Sequence, residues 1–126
     1  MTKAPLTPGV VLLAHGSRDP LWHQPIAAIA AQMAVLAPDT PVVCAYLELS
    51  TPDLATAVDM LRQHGVHHVS ILPVFLGVGK HAREDLPRLV AQERVRHPDM
   101  LFTLKPAAGE DPRLVQLLAE IALELH

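Results

Sequence analysis

The stretch Val11-Leu-Leu-Ala-His-Gly-Ser-Arg-Asp-Pro20 changes character within a few residues. An apolar run that begins at Val10 leads directly into His15, and a glycine and a proline then turn the chain. A continuous apolar run bounded by turn residues is typical of a strand that is buried on both faces of a parallel sheet. We therefore predict a central strand over residues 10–13, with His15 just beyond its carboxyl end.

The same alternation of strand and helix continues along the chain. The predicted strands are residues 10–13, 41–47, 68–75 and 101–104. The first predicted helix covers 20–36. The second begins at Ser50-Thr-Pro-Asp53, which supplies a serine or threonine cap, a first-turn proline and an early acidic residue, and it stops at Gly65. The third runs from the 77–81 loop to about His97, and the fourth runs onward from an Asp111-Pro112 cap. Short connections between alternating elements predict a single α/β domain over residues 1–126, with a four-stranded parallel sheet and helices on both faces. For this doubly wound fold we expect the strand order 2-1-3-4.

The composition limits the classes of function. Half of the 126 residues are hydrophobic, 18% are charged and only 3% are aromatic, which is typical of a globular domain with an aliphatic core. A formal net charge of −3 predicts no general attraction to nucleic acid or to anionic membranes. The one cysteine, Cys44, is expected to be a small buried residue of a cytoplasmic protein. We expect neither a secretory leader nor a membrane-spanning segment.

Three polar side chains are predicted to meet at one edge of the sheet. Ligands of open parallel sheets bind beyond the carboxyl ends of the strands, where the strand order reverses. His15 follows the first strand, Glu48 follows the second, and His81 ends the loop after the third. Imidazole nitrogen and carboxylate oxygen suit a divalent first-row metal. His15, Glu48 and His81 are therefore candidate metal ligands and catalytic residues.

Each of these residues also has a structural interpretation that the sequence leaves open. His15 could be a hydrogen-bonded histidine at a strand end, and Glu48 could be a solvated loop carboxylate. A cationic imidazole at the helix start is disfavoured by the helix dipole, so His81 is either a neutral ligand or a tolerated surface residue. A further histidine cluster, over residues 64–68, is predicted at the opposite edge of the sheet, and we interpret it as structural.

A basic set accompanies the same edge. Arg18, Lys80 and Arg83, with Ser17 as an additional donor, predict a site for a ligand that carries several carboxylates. The alternative for Arg83 is ion pairing with a nearby carboxylate of residues 19, 84 or 85. Three apolar side chains could flank the body of a flat ligand: Trp22, Leu76 and Val78. No Walker-type or G-x-G-x-x-G phosphate loop is present in the sequence, so nucleotide binding is not predicted.

Three segments, taken in order, resemble the short class II tetrapyrrole chelatases, the small sirohydrochlorin cobaltochelatase family. They are Leu12-Leu-Ala-His-Gly-Ser-Arg-Asp-Pro20, Tyr46-Leu-Glu-Leu-Ser-Thr-Pro-Asp-Leu54 and Ile71-Leu-Pro-Val-Phe-Leu-Gly-Val-Gly-Lys-His-Ala-Arg-Glu-Asp-Leu-Pro87. The resemblance covers nearly the whole chain and includes Gly109-Glu-Asp-Pro-Arg-Leu114.

This resemblance implies a specific chemistry. A divalent metal, Co²⁺ in first place and Fe²⁺ or Ni²⁺ as alternatives, would be inserted into sirohydrochlorin on the route to cobalamin. His15 and His81 would hold the incoming metal, and Glu48 would complete the site or accept protons. No permanent cofactor is implied. Because short members resemble one half of the longer two-lobed chelatases, a homodimer is expected.

Other functions remain as alternatives. Iron insertion would lead to sirohaem instead of cobalamin. A carrier of metal or tetrapyrrole would need similar ligands without turnover. A histidine after the first strand is also similar to the histidine phosphatases, but these have arginine directly before it, whereas this chain has Ala14. That difference argues against phosphoryl transfer.

Overall fold

Four parallel strands form one sheet in the order β2-β1-β3-β4, as predicted. The structure is a computed structural model that describes residues 7–124. The strands are β1 (Pro8–Ala14), β2 (Val42–Tyr46), β3 (His68–Pro73) and β4 (Leu101–Leu104). Since β1 pairs in parallel with both β2 and β3, the carboxyl ends of these strands meet at one edge of the sheet.

Four α-helices and two short 3₁₀ turns connect the strands. The helices are α1 (Gln24–Leu36), α2 (Leu54–Gln63), α3 (Lys80–Arg96) and α4 (Pro112–Leu123). The 3₁₀ turns lie at Pro20–His23, before α1, and at Ala108–Glu110, before α4. No helix within residues 7–124 is long and apolar enough to cross a membrane.

Some predicted boundaries were wrong, and each has a local reason. The helix predicted from residue 20 begins as a 3₁₀ turn, because Asp19 accepts a hydrogen bond from the Leu21 N–H and tightens the first turn. Asp53, and not the serine at position 50, is the N-cap of α2; its carboxylate accepts the Thr56 N–H at 2.9 Å. Asp53 was predicted as an early acidic residue and Pro52 as a first-turn proline, whereas both precede the first residue of the helix.

Other boundaries differ at β2, β3 and α3. Strand β2 is one residue shorter at each end than predicted, and β3 ends two residues earlier, at Pro73. Pro87 lies well inside α3, further from its start than the predicted limit of the first turns. Proline there cannot donate to the carbonyl one turn earlier. Packing of the neighbouring Leu86 and Val90 into the core offsets this loss.

The core consists of two layers on the two faces of the sheet. Helices α2 and α3 pack on one face, around the strand residues Leu13 and Ile71. Helix α1 packs on the other face, over β1 and β2. Cys44 belongs to that second layer but is only partly buried, and burial raises the pKa of its thiol. Helix α4 has no buried residue.

Candidate functional site

The loops that follow β1 and β2 are joined by backbone hydrogen bonds. The Leu47 N–H donates to the carbonyl of Ala14 at 3.0 Å, and the Glu48 N–H donates to that of His15 at 2.9 Å. Gly16 allows this close approach: its φ is +112°, and a Cβ atom there would lie 1.7 Å from the Glu48 carbonyl oxygen. The backbones of His15 and Glu48 are therefore adjacent, as the sequence predicted.

A second set of hydrogen bonds fixes the same two loops. The Ser50 hydroxyl donates to the Ser17 carbonyl at 2.7 Å and accepts the Ser17 N–H at 3.0 Å. The Nε2 atom of His23 lies 3.1 Å from the same Ser17 carbonyl and 3.3 Å from the Ser50 hydroxyl. Sequence reasoning missed Ser50 and His23 as site-building residues, because their partners are distant in the chain. The Ser17 hydroxyl itself accepts the Asp19 N–H at 3.1 Å.

The His15 imidazole is exposed but rests on an aromatic ring. It stacks on Phe75, with 4.2 Å between ring centroids and 22° between the ring planes. Phe75 is 6% exposed, and its carbonyl accepts the Gly109 N–H at 2.8 Å. Gly109 is required here, since a Cβ atom would lie 1.8 Å from the Leu76 carbonyl oxygen. Phe75 thus defines one side of His15, and the apolar pattern of β3 alone did not reveal this role.

His81 lies at the start of α3, as predicted. It is the second residue of the helix, after Lys80, and its side chain is exposed. The N-cap of this helix is Gly79, which provides no side-chain hydrogen bond. Within residues 7–124, no three side chains of histidine, cysteine, aspartate or glutamate form a group that could hold a metal ion. The structure therefore brings the loops of His15 and Glu48 together, while the predicted three-ligand set with His81 stays a prediction.

The predicted basic residues are exposed at this end of the molecule. Arg18, Lys80 and Arg83 have no carboxylate within ion-pair distance in the part of the chain that the structure describes, so the alternative ion pair of Arg83 is not observed there. Arg83 and Lys105 line a cavity of about 130 Å³, together with Glu110. Lys105 follows β4 at the same edge of the sheet, and sequence reasoning missed it, although its position directly after a strand was a usable signal.

Exposed apolar side chains surround the same edge. Leu76 is 72% exposed, Trp22 is 39% exposed, and Val78 is partly buried. Leu49, next to Glu48, is 55% exposed and has a φ of +63°, an uncommon conformation for a side chain of this size. Leucine side chains beside unpaired cations are suited to a ligand with an apolar body and acidic substituents.

Three of the remaining histidines, His64, His68 and His97, have partners in the structure, whereas none is seen for the exposed side chain of His67 among the described residues. His68 lies 2.8 Å from the Thr103 hydroxyl, and His64 lies 2.9 Å from a backbone carbonyl of α2. His97 contacts Asp59 at 3.1 Å, beside the buried carboxylate of Glu93. Burial raises the pKa of Glu93, and an ion pair with Arg96 partly opposes this shift.

The fold and site define a doubly wound α/β protein with histidines beyond the ends of β1 and β3, where such sheets bind their ligands. A model of the CbiX family matches residues 9–125, and the chain belongs to this family.

Curated relatives and a solved structure agree with this assignment. The sirohydrochlorin cobaltochelatase of Methanococcoides burtonii is 32% identical over 125 residues, which cover 93% of this chain and 95% of that protein. The sirohydrochlorin cobaltochelatase of Methanopyrus kandleri is 33% identical over 84 residues, or 67% of this chain, and the match spans only 59% of that protein's length. A sirohydrochlorin ferrochelatase of Priestia megaterium is 29% identical over 84 residues, or 65% of this chain and 31% of its own length.

Among solved structures, a protein from Marinobacter aquaeolei, described as a CbiX protein of cobalamin biosynthesis, superimposes with a TM-score of 0.80. The two share 29% identity, and the match covers 91% of this chain and 93% of that one.

Proposed function

We propose that the protein inserts a divalent metal, Co²⁺ in first place, into sirohydrochlorin during cobalamin biosynthesis. The observation that carries this proposal is the placement of His15: an exposed imidazole, stacked on Phe75, in a loop fixed against that of Glu48. The cobaltochelatase of Methanococcoides burtonii, which aligns over almost its full length, supports the same activity.

His15 and His81 receive the metal in this mechanism. Neutral imidazoles bind cobalt and iron without enclosing them, which allows the metal to pass to the four nitrogens of the macrocycle. Two pyrrole N–H protons leave as the divalent ion enters, so the macrocycle gains the metal and loses two protons. Glu48 and an imidazole that the metal has left accept these two protons, which then pass to water. Glu48 is suited to this because its backbone is held beside His15.

The cationic and apolar side chains at the same edge bind the macrocycle. Arg18, Lys80 and Arg83 contact its carboxylates, Ser17 donates a further hydrogen bond, and Lys105 extends the basic surface toward β4. Leu76 and Trp22 contact its apolar body. Since the protein carries a net charge of −3, this local concentration of cations is needed to attract an acidic substrate.

Two further properties belong to this proposal. We expect a homodimer, because two small subunits enclose a macrocycle better than one open edge does. We also expect a cytoplasmic protein, because its one cysteine is unpaired.

Iron insertion is the second candidate, supported by the similarity to a sirohydrochlorin ferrochelatase. Histidine and carboxylate ligands accept Fe²⁺ as well as Co²⁺, so the ligand set does not separate the two metals. The two activities are compared by the kcat/KM of Co²⁺ and of Fe²⁺ insertion under anaerobic conditions. A higher value for Fe²⁺ would assign the protein to sirohaem formation.

The decisive experiment follows the absorbance of sirohydrochlorin with Co²⁺, with and without the protein. Alanine at His15 or at His81 should lower the rate of insertion by about 100-fold or more. His67→Ala is the matched control, since this exposed histidine lies at the opposite edge of the sheet and should leave the rate unchanged. A wild-type protein that binds sirohydrochlorin but does not accelerate insertion would be a carrier, and this result would refute the enzymatic proposal.

A second experiment tests the basic surface separately from metal binding. Arg83→Ala should raise the KM for sirohydrochlorin several-fold and change kcat little, because the lost contact is to the substrate body. Arg88→Ala is the control on the same helix, where the guanidinium is already paired with Asp85 at 3.2 Å. Equal KM values for the two variants would contradict a carboxylate-binding role for Arg83.

A further inference from the structure

A small cavity lies beyond the carboxyl ends of β3 and β4, beside the first turns of α3. Its volume is about 130 Å³, and its lining combines apolar side chains with three charged ones. The charged residues are Arg83, Lys105 and Glu110, and the apolar walls include Pro73, Leu86 and Leu104. Since Pro73 and Leu86 are buried, the apolar part of the cavity is a fixed floor, and the charged side chains surround its opening.

The backbone holds each of the three charged residues in place around the cavity. The Lys105 N–H donates to the Ile71 carbonyl at 2.9 Å, directly after β4, and so extends the pairing of β4 with β3. Glu110 ends the 3₁₀ turn at Ala108–Glu110, and Arg83 lies in the first turn of α3. Three side chains that start from fixed positions lose less conformational freedom when they bind a ligand than side chains on mobile loops.

Two cations and one carboxylate leave the lining with one net positive charge. Within residues 7–124, neither Arg83 nor Lys105 has a carboxylate within ion-pair distance, so Glu110 does not neutralise either cation by direct contact. A monoanion neutralises this lining, whereas a phosphate, which carries nearly two negative charges at neutral pH, adds repulsion from Glu110. A carboxylate accepts hydrogen bonds from guanidinium and ammonium groups alike. The charge of the cavity therefore favours a single carboxylate.

The volume limits the ligand to one short substituent. Pockets that enclose a whole small molecule have volumes of about 300–1,000 Å³, whereas this cavity has about 130 Å³. One water molecule occupies about 30 Å³ in the liquid, so the cavity has room for a few heavy atoms, such as those of an acetate or propionate group. A macrocycle must lie outside it, next to Leu76, which is 72% exposed and whose carbonyl lies against the turn at Ala108–Glu110.

We propose that this cavity binds one carboxylate side chain of the macrocycle, and that Lys105 and Glu110 change its affinity in opposite directions. The proposal rests on the proposed function, since it takes sirohydrochlorin as the substrate, and it adds a separate subsite for one acidic substituent. Arg83 and Lys105 donate hydrogen bonds to the carboxylate, and Glu110 opposes any further negative charge. A macrocycle that lacks this acid, or carries it as a neutral ester or amide, loses its contacts with both cations and binds more weakly.

The subsite is tested by binding and not by turnover. The dissociation constant of sirohydrochlorin is measured by fluorescence titration in the absence of metal. Lys105→Gln should raise this constant by about five-fold, and Glu110→Gln should lower it by about two- to five-fold, because both side chains are exposed and their charges are partly screened. A change in the same direction for the two variants, or no change in either, would overturn the proposal.

Two control variants make the same changes of net charge elsewhere on the surface. Arg88→Gln removes a cation of α3 that is paired with Asp85 at 3.2 Å. Glu120→Gln removes a carboxylate of α4 that accepts a hydrogen bond from Gln116 at 2.9 Å. Both controls should leave the dissociation constant within about 1.5-fold of the wild-type value. Shifts as large as those of Lys105→Gln and Glu110→Gln would show general charge attraction and overturn the subsite.

A second measurement uses the wild-type protein and needs no macrocycle. Propionate, added at constant ionic strength up to about 100 mM, should shift the backbone amide resonances of Lys105 and Glu110 in a saturable way, and Lys105→Gln should weaken this response. Inorganic phosphate at the same concentrations should give smaller shifts. Unchanged resonances with propionate, or larger shifts with phosphate, would overturn the proposal.

The outcomes for the subsite and for the proposed function are distinguishable. Equal dissociation constants for the wild type and both glutamine variants, with normal metal insertion, would refute the subsite alone. Opposite shifts for Lys105→Gln and Glu110→Gln in a protein that does not accelerate metal insertion would refute the proposed enzymatic function and leave the subsite in place.

Discussion

Replacement of Gly16 by alanine should separate the two loops that carry His15 and Glu48. A Cβ atom on Gly16 would lie 1.7 Å from the carbonyl oxygen of Glu48 and 2.8 Å from its carbonyl carbon. Ordinary van der Waals contact begins near 3.4 Å, so the loops must move apart by roughly 1.7 Å. Both atoms in the clash belong to the backbone, and no side-chain rotation can relieve it.

The expected loss of stability follows from two contributions. Alanine at a φ of +112° costs about 1–2 kcal/mol. Separating the loops breaks the 2.9 Å hydrogen bond from the Glu48 N–H to the His15 carbonyl, which costs about 1 kcal/mol more. A total of about 2–3 kcal/mol should lower the Tm by roughly 6–15 °C for a domain of this size. A displacement of His15 by an ångström or more should also lower the rate of metal insertion by about 100-fold.

Two other glycines provide matched controls for this substitution. Gly65 has a φ of +81° with open space around it, so Gly65→Ala carries only the backbone cost, about 1–2 kcal/mol, and should keep full activity. Gly77 has neither a positive φ nor a close neighbour, so alanine there should be nearly neutral although the loop leads to His81. Thermal unfolding is compared at one protein concentration, with metal insertion measured in parallel. If Gly16→Ala unfolds at the same temperature as Gly65→Ala and retains its activity, the two loops are not held together as described.

Three other substitutions test separate parts of the structure. Phe75→Leu should move the NMR resonances of the His15 ring, because the ring current of the stacked phenyl group is lost, and it should lower the rate of metal insertion. The control, Phe102→Leu in the core, should leave the His15 resonances in place. Burial raises the pKa of Glu93, so ionisation of this carboxyl group destabilises the fold as the pH rises above 4.5. Glu93→Gln should therefore gain stability relative to the wild type between pH 4 and pH 7, as measured by urea unfolding. A relative loss of stability over this range would contradict this sign. Asp53→Ala should lose about 1 kcal/mol near neutral pH, while Asp53→Asn keeps the cap. A backbone hydrogen bond lowers the pKa of Asp53, so its contribution to stability is present above about pH 4 and is lost as the pH falls through the lowered value. The stability lost in Asp53→Ala should therefore shrink in acid. A loss that does not shrink would argue against the cap.

Local signals were sufficient for much of the fold. Strand β4 was predicted with its observed bounds, because a short apolar run stands between clear turn residues. The Asp111 cap of α4 could be predicted from the local sequence, because the N–H that donates to its carboxylate belongs to Arg113, only two residues away. The strand order 2-1-3-4 followed from the alternation of strands and helices, since right-handed crossovers leave few arrangements of four parallel strands.

What sequence reasoning missed depends on contacts between distant residues. Ser50 had the sequence signature of a helix cap, but its hydroxyl bonds across the two loops to Ser17 instead, 33 residues away. Phe75 was predicted as the last residue of a strand, whereas its ring supports His15. The Asp111-Pro112 cap predicted where α4 begins, but no local signal states that none of its residues is buried.

A continuous series of contacts connects His15 to α4. The imidazole stacks on Phe75, the Phe75 carbonyl accepts the Gly109 N–H, and the turn that contains Gly109 leads directly into the Asp111 cap of the helix. The Phe75 residue is thus linked to the start of α4 through the turn that contains Gly109. Contiguity alone does not establish an energetic coupling. The coupling is instead measured by combining Phe75→Leu with Asp111→Ala, which removes the cap of α4. Independent sites would give additive losses of activity. Coupled sites would give less than the sum, because loss of the cap would already have released the ring that Phe75→Leu removes.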